Sequence, residues 1–238
     1  MSNIWFRFKQ FKVEQDKCAM KIGTDSILLG AWTNCSEAKT VLDIGTGTGV
    51  LALMLAQKSD AEIFAIDIDE QSVIQAKQNV NNSPWHNRIH LYNSSLQNFT
   101  HSLPSFDIII INPPFFKNSL KAPDALRTLA RHAYTLTHQD ILTFCTKNLS
   151  QAGKLAIILP LEQGNNFIKL SSQIGLYCIR KCYVKPNPNK EAHRLLLEFS
   201  FQKQITQETE IIIETGTRHH YTNEYKKLTK EFYLNFKF

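Results

Sequence analysis

The stretch VLDIGTGTG, residues 41–49, decides the fold because it joins a buried strand to a glycine-rich turn. Its first residues are typical of a short buried strand, and the apolar run VLALMLA at residues 50–56 is typical of a helix packed against a sheet. Gly45, Gly47 and Gly49 alternate in the turn between them, where the missing side chains let a backbone bend tightly and approach a ligand. The pattern predicts a strand–loop–helix unit with a ligand at the loop.

The rest of the chain repeats this alternation of strands and helices. Strands are predicted over residues 62–67, 88–92, 106–111 and 153–159, and helical spacing over residues 69–80, 140–149 and 167–174. Such alternation indicates βαβ units, a parallel sheet and right-handed crossovers. Two further strand runs, residues 176–184 and 194–201, are joined by KPNPNKEAH and predict an antiparallel pair at the sheet edge.

Composition narrows the class of protein. A chain of 238 residues suits one α/β domain, and its 27 Lys+Arg against 21 Asp+Glu are compatible with a polyanionic partner. The five cysteines are odd in number and scattered, so the sequence predicts no disulfide framework and no zinc site. Without a leader peptide or a segment of membrane-spanning length, we expect a cytoplasmic protein that binds neither membrane nor metal.

A second stretch, FDIIIINPPFF at residues 106–116, raises the question of why a buried strand should end so abruptly. Four successive isoleucines predict a strand that is buried on both faces. Asn112, Pro113, Pro114 and Phe115 then follow at its carboxyl end, where ligands of parallel sheets bind. The prolines alone would suit a simple strand stop. The amide and the aromatic ring favour a rigid pocket wall.

The ligand of the glycine loop has two readings. Residues 47–52 satisfy the G-x-G-x-x-A form of a dinucleotide fingerprint, and Asp67 lies twenty residues after Gly47, which leaves NAD open. S-adenosyl-L-methionine, with an amino-acid head, a ribose and an adenine, suits the wider pattern better. Asp43 before the loop can accept a hydrogen bond from a cationic amine, and the two oxygens of Asp67 can hold both ribose hydroxyls. The NPPF stretch has no role in dinucleotide chemistry.

Together, D-x-G-x-G-x-G, an acid at the end of the next strand and NPPF resemble the class I S-adenosyl-L-methionine-dependent methyltransferases that modify amino groups. The resemblance covers about residues 40–160. It implies an α/β, Rossmann-like fold with a seven-stranded, mostly parallel sheet, an antiparallel last strand and helices on both faces. It also implies that Ile68 and Ser95 contact the cofactor, Ser95 at a position where the family often has an acid.

The NPPF residues suit methyl transfer to an amine. The amine of adenine is a poor nucleophile, and positive charge develops on its nitrogen during transfer. The side-chain oxygen of Asn112 and the carbonyl of Pro113 can accept its N–H bonds and stabilise that charge. An amide cannot remove the proton at neutral pH, so Asn112 is interpreted as a positioning and stabilising group. Phe115 would stack on a flipped base.

The segments on either side of the core motifs indicate which amine accepts the methyl group. The core motifs leave adenine N6, guanine N2 and a glutamine amide open. Two flanking stretches resemble the bacterial methyltransferases that modify N6 of adenine beside the anticodon of valine tRNA. They are FKVEQDKCAMKIGTDSILLGAW at residues 11–32 and YTNEYKKLTKEFYLNF at residues 221–236. The resemblance implies that activity at adenine 37 with tRNA as partner, and we expect a monomer. The alternatives are an rRNA guanine-N2 methyltransferase, a glutamine methyltransferase of release factors and, outside this class, an NAD-dependent oxidoreductase.

The resemblance also suggests how one domain over residues 1–238 is organised. Residues 1–35 would form a cap over the cofactor, residues 36–202 the catalytic core and residues 203–238 an extension packed on the core. Met20 and Thr24 are candidate cap contacts to the cofactor. The candidate RNA-binding residues are Lys117, Lys121, Arg127, Arg131 and Arg194.

Overall fold

A computed structural model of the chain describes residues 3–18, 20–100, 105–113 and 136–234. The strands are β1 Trp5–Arg7, β2 Lys12–Glu14, β3 Thr40–Ile44, β4 Glu62–Asp67, β5 Ile89–Asn93, β6 Phe106–Ile111, β7 Leu149–Pro160, β8 Tyr177–Lys185, β9 Arg194–Ser200 and β10 Gln207–Ile212. The helices are α1 Thr24–Trp32, α2 Val50–Lys58, α3 Glu70–Asn81, α4 His138–Asn148, α5 Leu161–Gln173 and α6 Asn223–Thr229, with a 3₁₀ turn at His86–Arg88.

Eight strands form the main sheet in the order β10-β8-β9-β7-β6-β3-β4-β5. All are parallel except β9, which runs antiparallel to β7 and β8. The mostly parallel, Rossmann-like sheet with an antiparallel last core strand is therefore confirmed. The expected count of seven strands was one short, because β10 from the C-terminal extension pairs with β8 and forms the edge.

The missed strand has a physical explanation in its side chains. Edge strands commonly carry charge, and Glu208 and Glu210 of β10 form ion pairs with Lys181 and Lys185 of β8, at 3.8 and 2.9 Å respectively. A segment of this composition lacks the apolar signal of a buried strand. As a consequence, the antiparallel pair of β8 and β9 lies inside the sheet and not at its edge.

The isoleucine run of β6 is buried on both faces of the sheet, as its sequence predicts. Ile108 and Ile110 belong to the hydrophobic core that contains α1 and α2, whereas Ile109 and Ile111 belong to the core that contains α4 and α5. Helices therefore cover both faces, and β6 is held firmly enough to position whatever follows Ile111.

The described parts of the N-terminal and C-terminal segments meet on the face of the sheet that α1 and α2 cover. The short β1–β2 hairpin lies outside the main sheet, and its neighbour Phe8 pairs with Tyr233 through an isolated antiparallel bridge. The N–H of Lys9 donates to the carbonyl of Phe232 at 2.8 Å. No helix in the described part of the chain is long and apolar enough to span a membrane.

Candidate functional site

The glycine loop after β3 divides into two parts with different surroundings. Gly45, Gly47 and Gly49 all adopt positive φ, at 70°, 54° and 82°, which favours glycine. A Cβ on Gly45 or Gly47 would meet no atom within 4 Å, whereas one on Gly49 would lie 3.3 Å from the Cβ of Ala76 in α3. The first two glycines therefore leave their backbone open to a ligand, and Gly49 allows close packing at the start of α2.

Asp67, the last residue of β4, is fixed by backbone donors. Gly47 N–H donates to Oδ2 at 2.8 Å and Asp69 N–H to Oδ1 at 2.9 Å. Partial burial raises the pKa of this carboxyl, an effect that these two hydrogen bonds oppose. Each oxygen keeps a second lone pair, so the carboxylate can still accept from two hydroxyl groups.

Asp43 lies beneath the loop and is completely buried. Its Oδ2 accepts a 2.6 Å hydrogen bond from Thr46 Oγ1, and burial raises the pKa of its carboxyl to about 7. Neither Asp43 nor Gly49 lines the cavities described below. Their predicted contacts with a cofactor stay predictions, whereas the structure gives both of them contacts that support the loop.

A first cavity of about 520 Å³ lies over the carboxyl ends of β3, β4 and β5. Its lining residues are Met20, Ile44, Gly45, Gly47, Ile66, Asp67, Ile68, Asp69, Ser72, Ser94, Ser95, Leu96, Gln97, Asn98, Asn112 and Leu136. Six of the predicted cofactor contacts therefore line one cavity. They are Met20, Gly45, Gly47, Asp67, Ile68 and Ser95. The Ser95 hydroxyl also accepts from the N–H of Asn98 at 3.3 Å.

Asn112 and Pro113 follow β6 at the same edge of the sheet. The side-chain nitrogen of Asn112 donates a 2.8 Å hydrogen bond to the hydroxyl of Ser26 in α1. Asn112 lines the first cavity and also a second cavity, of about 700 Å³, which Pro113 lines as well. The amide therefore lies at the boundary of two cavities. Pro114 and Phe115 lie outside the described residues.

The second cavity is built from several parts of the chain. Its wall includes residues 20–26, the glycine loop with the start of α2, Asn112 and Pro113 after β6, and the segments around residues 193 and 221. Thr24 lines this cavity and not the first one, whereas Met20 lines both. Asp25 and Arg194 meet in its wall through a 2.8 Å ion pair between Oδ2 and Nε.

Comparisons with known proteins identify the family of the chain. A family model described as "Methyltransferase small domain" matches residues 18–175. A curated tRNA1(Val) (adenine(37)-N6)-methyltransferase from Trichodesmium erythraeum is 46% identical, with 97% of this chain and 98% of that protein covered. A protein of the same name from Bacteroides thetaiotaomicron is 43% identical, with both chains covered completely.

The chain belongs to this methyltransferase family. Its fold also resembles a crystal structure of a predicted O-methyltransferase from Agrobacterium tumefaciens, with a TM-score of 0.66, 17% identity and 87% and 96% of the two chains covered. At that identity the likeness concerns the fold alone. It agrees with the class I methyltransferase fold that the resemblance implies.

The residues that line the first cavity fit S-adenosyl-L-methionine, the cofactor of this family. Asp67 offers two acceptors suited to ribose hydroxyls, and the open backbone at Gly45 and Gly47 offers room beside it. Apolar side chains at Ile68 and Leu96 can cover the faces of an adenine ring. Among the described residues, no group of three or more His, Cys, Asp or Glu side chains is placed to hold a metal ion.

The predicted RNA contacts are only partly described. Lys117, Lys121, Arg127 and Arg131 lie outside the described residues. Arg194 lines the second cavity, and its guanidinium holds Asp25. Its contact with RNA stays a prediction.

Sequence reasoning missed Ser26 and Thr46, which contact Asn112 and Asp43. Ser26 carried a usable signal, because Thr24, Asp25 and Ser26 make a polar first turn before the apolar run ILLGAW. Such a turn at the start of a buried helix indicates polar partners nearby. For Thr46 the only signal in the sequence was its place between two glycines.

Proposed function

We propose that this chain transfers a methyl group from S-adenosyl-L-methionine to N6 of adenine 37 in valine tRNA. The observation that carries the proposal is the position of Asn112 at the boundary of two cavities. One cavity suits the cofactor, and the other, with about 700 Å³, is large enough for a flipped base. The names of the full-length relatives supply the acceptor atom and the tRNA.

The chain's own residues would act by positioning and by electrostatics. When bound, S-adenosyl-L-methionine supplies an electrophilic methyl group on a positively charged sulfur. Asn112 Oδ1 and the Pro113 carbonyl would accept the two N–H bonds of the adenine amine in the second cavity. Both acceptors gain strength as positive charge develops on the nitrogen, so they stabilise the transition state more than the ground state.

The organisation of the chain follows from the same proposal. Residues 1–35 would cap the cofactor, since Met20 lines the first cavity, and residues 203–238 would complete the wall of the acceptor cavity. The net charge of +6 would favour approach of the tRNA backbone. The proposed contacts with that backbone are Lys117, Lys121, Arg127 and Arg131, which follow NPPF in the sequence.

The test is incubation of the full chain with radiolabelled S-adenosyl-L-methionine and total tRNA from cells that lack the modification, followed by nucleoside analysis. We expect label in N6-methyladenosine. A valine tRNA transcript should accept one methyl group, and the same transcript with guanine at position 37 should accept none.

Ribosomal RNA and release factor serve as competing acceptors in the same assay. Label in guanine N2 of rRNA, or in a glutamine of release factor, in place of tRNA adenine would overturn the proposal. Equal labelling of the two valine transcripts would overturn position 37.

A further inference from the structure

The side-chain amide of Asn112 is held by a contact from outside the core motifs. Its Nδ2 donates to Ser26 Oγ at 2.8 Å, and the two residues lie 86 positions apart in the sequence. A primary amide has donors on one side and an acceptor on the other, attached to the same carbon. While the Ser26 hydroxyl accepts from the nitrogen, as it does here, the oxygen on the same carbon points away from Ser26.

Ser26 is itself held in a fixed place. It lies in the first turn of α1, whose following residues Ile27, Leu28 and Leu29 are buried in the core. Its neighbour Asp25 forms the 2.8 Å ion pair with Arg194 at the start of β9. Packing on one side and an ion pair on the other thus hold the hydroxyl beside the end of β6.

The direction of the Asn112 amide matters for transfer to an amine. An adenine amine presents N–H donors, which need Oδ1 and would be opposed by the Nδ2 donors of a rotated amide. Without a fixed partner for Nδ2, both orientations become available to the side chain. Only one of them stabilises charge on the acceptor nitrogen.

We infer that Ser26 is a positioning residue, which holds the Asn112 amide with its oxygen directed to the acceptor amine. The inference rests on the proposed function, because it assigns Asn112 to the acceptor. It adds a residue of α1 to the transfer machinery, outside both the glycine loop and NPPF.

The test measures single-turnover methylation at saturating cofactor and tRNA. Ser26→Ala should lower the rate about fivefold, which is ~1 kcal/mol at 1.4 kcal/mol per factor of ten and is the net value of one hydrogen bond. The dissociation constants for S-adenosyl-L-methionine and tRNA should stay within about twofold of wild type, because Ser26 holds an amide and not a ligand. Ser26→Thr keeps the hydroxyl and should restore most of the rate.

Ser36→Ala is the matched control, since the exposed Ser36 hydroxyl also bonds a side-chain amide, that of Asn34, at 3.1 Å. It should leave the rate unchanged. Thermal unfolding of each variant separates loss of folded protein from loss of rate. A failure of Ser26→Thr to exceed Ser26→Ala in rate, with both folded, would count against the hydroxyl.

A double-mutant cycle decides whether Ser26 acts through Asn112. In the Asn112→Ala background, Ser26→Ala should cause no further loss, because the amide is already absent. An equal additional loss there, or a wild-type rate in Ser26→Ala, would overturn the inference while leaving the proposed function intact. A wild-type rate in Asn112→Ala would overturn the inference together with the role assigned to Asn112, whereas the proposed function fails only if the adenine of valine tRNA is not methylated. If guanine or glutamine proved to be the acceptor, the same double-mutant cycle, measured with that acceptor, would still decide the role of Ser26.

Discussion

The backbone N–H of Gly47 donates a 2.8 Å hydrogen bond to Oδ2 of Asp67 and so joins the loop after β3 to the end of β4. The two residues lie 20 positions apart, on neighbouring parallel strands. Because the loop holds the carboxylate, a change at Asp67 affects both the acceptors offered to a ribose and the shape of the loop.

Asp67→Asn should weaken binding of S-adenosyl-L-methionine by about 10- to 100-fold, since hydrogen bonds to charged groups contribute about 1.5–3 kcal/mol. The amide nitrogen of asparagine cannot accept from either Gly47 or a ribose hydroxyl. Isothermal titration calorimetry with S-adenosyl-L-methionine measures the change directly.

Asp60→Asn is the matched control, because Asp60 is exposed just before β4. Its affinity should equal that of wild type. Wild-type affinity in Asp67→Asn would show that this carboxylate supports the loop alone and does not contact the cofactor.

The buried carboxyl of Asp43 should make stability depend on pH. Its pKa rises from 3.8 to about 7 on folding, so the folded chain keeps a proton that the unfolded chain loses. The free energy of unfolding contributed by this group therefore falls as pH rises from about 4 to about 7, and is constant above that range. Asp43→Asn is neutral throughout and can keep the bond from Thr46.

Urea denaturation at pH 5, 6, 7 and 8 measures this effect. Relative to wild type, Asp43→Asn should gain about 3 kcal/mol in unfolding free energy between pH 5 and pH 8, because the carboxyl loses two pH units of stabilisation at about 1.36 kcal/mol each. Asp60→Asn should show no such trend. A difference between Asp43→Asn and wild type that does not change with pH would contradict the raised pKa.

Much of the fold was readable because it depends on local pattern. The run of isoleucines in β6 and the glycines after β3 signal burial and a tight turn within a few residues. β10 was missed because an edge strand with Glu208 and Glu210 has no apolar run to signal it. Its glutamates form ion pairs with lysines of β8, which are distant in sequence.

The residues of the site also differ in whether a local sequence pattern predicts them. The residues at strand ends, such as Asp67 and Asn112, follow from the topology of a parallel sheet. The contact of Ser26 with Asn112 and the pair of Asp25 with Arg194 span 86 and 169 positions. The polar first turn of α1 indicates that polar partners lie nearby, but no local pattern identifies which residues they are. Both contacts require the folded N-terminal segment, whose place over the sheet comes from packing of α1 on α2.

Substitution of Gly45 and of Gly49 in the loop should affect different properties of the protein. Gly45→Ala places a Cβ in open space beside the cofactor cavity, so it should mainly weaken cofactor binding. Gly49→Ala forces a left-handed residue against Ala76, so it should mainly lower the free energy of unfolding, by about 1–3 kcal/mol.

Urea denaturation and calorimetric titration of the same two variants separate these effects. Each variant is the other's control, since both carry strain from positive φ. If Gly49→Ala lost affinity more than stability, the division of the loop into a ligand part and a packing part would be wrong.

Arg127 and Arg131 should contribute to tRNA binding through charge. Reversal of both to glutamate should weaken binding and flatten the dependence of log Kd on log salt, by about one unit of slope per lost phosphate contact. The charge-matched control is Lys77→Glu with Lys147→Glu, two exposed lysines near the carboxyl ends of α3 and α4, away from the carboxyl edge of the sheet. Filter binding between 50 and 300 mM salt gives both slopes. Because long-range charge acts alike in the two variants, only a difference between their slopes indicates direct contact, and equal slopes would argue against these arginines.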